Sequence, residues 1–94
     1  MGKLPPLELL DAIHKFPGPY TFKLIGIADD FFLPRVIAAI RDELHYETDP
    51  PYDVRESVGG RHIAVTVELV MNSSSQIHAV YQRLLSLPGL VVIF

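Results

Sequence analysis

Between Arg61 and Val70 the chain carries a large apolar side chain at every second position from Ile63 to Leu69. Ile63, Val65, Val67 and Leu69 share one parity, and His62, Ala64, Thr66 and Glu68 share the other. A period of two puts successive side chains on opposite faces of a strand, so this segment reads as a strand with one buried face. Such a strand needs neighbours in a sheet and a second layer to cover its apolar side. Tyr20 to Ile27 supplies a neighbour, with Tyr20, Phe22 and Leu24 on one face and Thr21, Lys23 and Ile25 on the other.

The covering layer is visible as helical spacing. Phe32, Val36, Ile40 and Leu44 recur every four residues, and Asp29 or Asp30 stands where a carboxylate caps a helix start. Ser73, Ser74 and Ser75 offer caps to a second helix, whose buried stripe is Ile77, Val80, Tyr81, Leu84 and Leu85. The Asn72-Ser73-Ser74 triplet, formally a glycosylation acceptor, therefore reads as a helix start. Pro88-Gly89 ends this helix, and Leu90 to Phe94 is a final strand. Tyr52 to Ser57 forms a further strand. Gly59-Gly60 predicts a two-residue type I′ turn into the alternating segment, because both central positions of that turn need positive φ. Leu7, Leu10 and Ile13 predict a short helix over residues 5–15, stopped by Phe16-Pro17-Gly18-Pro19.

The order (α)βαββαβ predicts an α+β, ferredoxin-like sandwich. Its four-stranded antiparallel sheet runs in order 4-1-3-2, with two helices on one face. Residues 1–15 are expected to form an N-terminal helical appendage and residues 16–94 a single domain. The predicted core is Phe22, Leu24, Phe32, Val36, Ile40, Val54, Val65, Val67, Ile77, Val80, Tyr81, Leu84 and Val92.

Composition narrows the chemistry. The 94 residues include no Cys, which removes disulfides, thiolate metal sites, iron–sulfur clusters and Cys nucleophiles. The net charge of −3 is the wrong sign for gripping a phosphate backbone, so nucleic acid is not an expected partner. His14, His45, His62 and His78 show neither H-x-H nor H-x-x-x-H spacing, so no metal is expected. No apolar run approaches the ~18 residues a spanning helix needs, and no secretory signal follows Met1. A cytoplasmic protein with no membrane partner is the expectation.

Three segments carry a resemblance. They are Phe16-Pro17-Gly18-Pro19-Tyr20-Thr21-Phe22-Lys23-Leu24-Ile25-Gly26, then Ser57 to Val67 around the double glycine, then Gln76 to Leu84 with the apolar end. Together they resemble the YbeD-like family of uncharacterised bacterial proteins, whose fold is ACT-like and ferredoxin-like. The chain departs at His62, where the family has an aromatic, and at Ala64, where Ser is usual. The resemblance implies a non-catalytic regulatory or sensor module with no cofactor, which binds a small metabolite or modulates a partner enzyme. The alternative is a protein-interaction adaptor with no small-molecule ligand; a small enzyme is the third reading. An acylphosphatase of this fold needs an Arg in the loop after its first strand, and Gly26-Ile27-Ala28-Asp29-Asp30 is acidic instead.

Alternation assigns a candidate binding face. If Phe22 faces the helices, then Lys23, Arg55, Ser57, His62, Thr66 and Glu68 face away from them and form one polar patch, with a Lys23–Glu68 ion pair. Arg61 flanks it. The resemblance adds Gly26, because in ACT-like domains a glycine at this turn lets a ligand or partner chain approach the backbone. Mixed charge suits a zwitterionic metabolite or a charged partner surface. Ile25, Val91 and Ile93 on the same open face predict a homodimer.

Overall fold

A computed structural model describes residues 4–57 and 59–94. The elements are α1 (Leu7–Ile13), β1 (Gly18–Ile27), α2 (Phe32–Leu44), β2 (Tyr52–Glu56), β3 (His62–Met71), α3 (Ser74–Leu85) and β4 (Leu90–Ile93). The sheet runs β2-β3-β1-β4 with every pairing antiparallel, which is the predicted order read from the other edge. β1 and β3 form its centre and stay in register from Gly18 opposite Met71 to Ile27 opposite His62.

That register sends Phe22, Leu24, Val65, Val67, Leu69 and Met71 to one side, where all are buried. Phe32, Val36 and Ile40 of α2 and Ile77, Val80 and Leu84 of α3 complete the core against them. The starts of α2 and α3 are held by side chains. Asp29 Oδ1 accepts from the N–H groups of Phe31 (2.9 Å) and Phe32 (2.8 Å), while Asp30 stays exposed. Ser73 Oγ accepts from Gln76 N–H (3.1 Å), and Gln76 Oε1 accepts from Asn72 N–H (2.7 Å). This near-reciprocal arrangement satisfies donors that the first helical turn leaves free.

Tyr81 fastens the end of the chain to this core. Its hydroxyl donates to the Phe94 carbonyl (3.0 Å) and lies 3.0 Å from the Tyr20 hydroxyl. Burial, and then the Tyr20 hydrogen bond, push its pKa above the ordinary tyrosine range, so it stays a donor.

Three details differ from expectation. Ile93, not Val92, is buried: Leu24 pairs with Ile93 and Ile25 with Val92, then the register slips so that Gly26 meets Leu90. The slip leaves Val91 as an extra residue and reverses the parity assumed for β4. Val54 is 37% exposed, because β2 is an edge strand along which every residue is exposed. The loop between Glu56 and His62 is longer than a two-residue turn. Gly59 (φ 91°) and Gly60 (φ 70°) do take positive φ, and Gly60 N–H donates to the Ser57 carbonyl. Val58 of that loop lies outside the described residues.

The short helix α1 is docked on this core. Leu10 is 2% exposed and belongs to the same hydrophobic cluster as the sheet and the long helices. A hydrogen bond between His78 Nε2 and the Pro5 carbonyl links the approach to α1 with α3. Leu10→Ala is therefore expected to cost about 2–5 kcal/mol, as core truncations do. Urea unfolding measures it; a change within about 0.5 kcal/mol, the range of surface substitutions, would show that α1 adds nothing to the core.

Candidate functional site

The side of the sheet away from the helices is built in rows of directly opposed residues. One row is Asp53–Thr66–Lys23, and the next is Arg55–Ala64–Ile25–Val92. Glu68 stands opposite Thr21, and His62 opposite Ile27. Ser57 extends the His62 row: its N–H donates to the His62 carbonyl (2.9 Å), and its Oγ accepts from His62 N–H (3.1 Å). The strands thus bring Lys23, Arg55, Ser57, His62, Thr66 and Glu68 to one face.

The shape of this face follows from one small residue. Ala64 sits between Ile25 and Arg55, so a methyl group is flanked by two longer side chains. A depression of about 180 Å³ opens there, lined chiefly by Ile25, Arg55, Ser57, His62 and Ala64. A second hollow of about 190 Å³ adjoins it, lined by Lys23, Asp53, Arg55, Ala64 and Thr66. Arg55 and Ala64 are common to both.

Charge on this face is uncommitted. Among the described residues the ion pairs are Arg35–Asp29, Arg41–Asp49, Arg83–Asp42 and Arg83–Glu43, and none involves the patch. The expected Lys23–Glu68 pair is not among them; Lys23 stands opposite Thr66 and Glu68 opposite Thr21, so the two are diagonal neighbours. Lys23, Arg55, Asp53 and hydroxyls therefore surround an apolar floor, with Glu68 farther along β3 on the same face. Among the described residues no three His, Asp or Glu side chains are placed to hold a metal ion. Asp53 joins the site although sequence reasoning omitted it; its shared parity with Arg55 was the available signal.

Two of the candidate residues lie elsewhere. Arg61 is in the loop before β3, where its carbonyl accepts from Ala28 N–H (3.0 Å). Gly26 is buried on the helix side of β1. A Cβ built there would meet the Phe32 ring at 2.3 Å, so the missing side chain makes room for that ring. Parity explains the separation, since Gly26 follows Leu24 and not Lys23.

Residues 11–94 match the profile of a family described as "Protein of unknown function (DUF493)". The chain belongs to this family. It is 32% identical over 82 residues to a UPF0250 protein of Shewanella loihica, covering 87% of this chain and 86% of the relative. A UPF0250 protein of Shewanella piezotolerans is 29% identical over 79 residues, covering 84% and 88%. One from Yersinia enterocolitica is 26% identical over 75 residues, covering 80% and 84%. The solution structure of protein HP0495 from H. pylori superposes with a TM-score of 0.66 at 13% identity, over 100% of this chain and 98% of that one. That likeness concerns the fold. Among the described residues no helix is long and apolar enough to cross a membrane.

Gly26→Ala tests the steric assignment. The added methyl collides with a fully buried ring, so the expected loss is about 1–3 kcal/mol, typical of overpacking. A chemical melt matching wild type would show that the glycine is not needed for packing Phe32.

Proposed function

We propose that the protein is a non-catalytic regulatory or sensor module of the cytoplasm, which binds a small zwitterionic metabolite on the open face of its sheet. The observation supporting this reading is the set of unpaired charges Lys23, Arg55 and Asp53 around the hollow at Ala64. Lys23 and Arg55 suit a carboxylate, Arg55 with a planar fork of donors. Asp53 suits an ammonium group. Thr66 and Ser57 offer hydroxyls, and Ile25 with Ala64 seats an aliphatic stem. Pockets that combine an apolar floor with a few convergent polar groups are typical of small-molecule sites. A catalytic role draws no comparable support: Ser57 Oγ is engaged by a backbone N–H.

A thermal-shift screen against amino acids and small carboxylates tests this. A ligand at 100 times its Kd adds ~2.7 kcal/mol, and each kcal/mol moves the Tm of a domain this size by roughly 4–8 °C. Lys23→Ala is expected to leave the free protein's Tm nearly unchanged and to remove the shift. Ala64→Leu, which fills the hollow, is expected to remove it as well. A screen flat across the whole panel for the wild-type protein rejects the metabolite reading and leaves an adaptor role.

A further inference from the structure

The edge strand β2 is a second unpartnered feature. All five of its residues, Tyr52-Asp53-Val54-Arg55-Glu56, are exposed, and among the described residues only one side of the strand is paired, to β3. The direction of its backbone groups can be followed from the ladder. Ser57 N–H donates to the His62 carbonyl, so odd-numbered residues here turn their N–H and C=O inward to β3. Tyr52, Val54 and Glu56 therefore direct theirs outward, unpaired. Exposed strand edges of this kind are templates for another strand.

We propose that two copies of this chain join through β2, antiparallel and two-fold symmetric about Val54, so that their sheets become continuous. The sequence of the strand is self-complementary in this register. Val54 meets the partner's Val54 and Tyr52 meets the partner's Glu56, through backbone groups that already point outward. Asp53 then lies opposite the partner's Arg55, and Arg55 opposite the partner's Asp53, on the open face. These are non-hydrogen-bonded positions, where opposed side chains come closest. Within one copy neither Asp53 nor Arg55 has an ion-pair partner among the described residues, so both are free to engage.

Neighbouring registers are excluded by the same charges. Centring the two-fold on Asp53 sets Asp53 against Asp53, and centring it on Arg55 sets Arg55 against Arg55; like charges directly opposed are destabilising. Slipping by a single residue mismatches the two faces. Pro50 has no N–H to offer an added strand, which ends the usable edge just before β2. Pairing also covers Tyr52 (47% exposed) and Val54 (37% exposed), the two apolar side chains that the helix layer leaves open. The opposite edge offers no such code: β4 is Leu-Val-Val-Ile, without a charge, and the slip at Val91 interrupts it.

This interface does not depend on a bound metabolite. Its test is sedimentation equilibrium of the full chain, up to the highest soluble concentration, with a circular-dichroism melt confirming that each variant is folded. Wild type is expected to associate to twice the 10.5 kDa of one chain. Asp53→Arg and Arg55→Asp each place like charges across the two-fold, and each is expected to weaken association about tenfold or more. The double variant Asp53→Arg/Arg55→Asp restores opposite charges in the same register and is expected to restore the dimer. A wild-type chain that stays monomeric, single variants that associate normally, or a double variant that remains monomeric would each overturn the proposal.

Discussion

The pairing of β1 with β3 is the interaction on which the rest of the structure depends. Their register, kept from Gly18 opposite Met71 to Ile27 opposite His62, decides every side chain's face at the centre of the sheet. Because side chains alternate, a slip of β1 by one residue would carry its whole apolar set to the other face. Phe22 and Leu24 would be lost to solvent, and Lys23 would be driven under the helices. The core and the candidate site are thus two sides of one constraint. The apolar set holds the register firmly, which in turn holds Lys23 beside Thr66 and Asp53 at a fixed spacing.

The helix layer covers the sheet from β3 to β4 and leaves the β2 margin open. Gly26 allows the Phe32 ring to lie directly on β1, and this close approach seats α2 over the central strands. β2 lies outside that cover, with all five residues exposed. The uncovered strand contributes Asp53 and Arg55 to the open face while keeping one backbone edge free. Binding on the face and pairing along the edge draw on the same two charged side chains, Asp53 and Arg55, and so compete for them.

Legibility in the sequence tracked how local the determining interaction was. Alternation in β1 and β3, the spacing in α2 and α3, and the caps at Asp29 and Ser73 are set within a few residues, and each could be read directly. The strand order followed from the alternation of helices with strands. Parity failed in β4, because the slip beside Gly26 depends on a strand distant in sequence. Val54 looks like a core residue by pattern, yet its exposure is decided by how far the helices reach. Leu10 carries an ordinary amphipathic signal, and only the tertiary arrangement makes it part of the main core. On the site side, six of the eight candidate residues follow from parity alone. Gly26 entered through a family resemblance and belongs to packing, whereas Asp53 was missed although it shares a face with Arg55.

The most direct test of the account is a nuclear Overhauser spectrum of the backbone protons. In non-hydrogen-bonded antiparallel pairs the Cα atoms are only ~4.5 Å apart, so facing Hα protons give strong cross-peaks. The register predicts such peaks for Lys23 with Thr66, Ile25 with Ala64 and Thr21 with Glu68. Cross-peaks from Lys23 Hα to Val65 or Val67 instead would place Lys23 on the core side and contradict both the fold's central pairing and the site built on it.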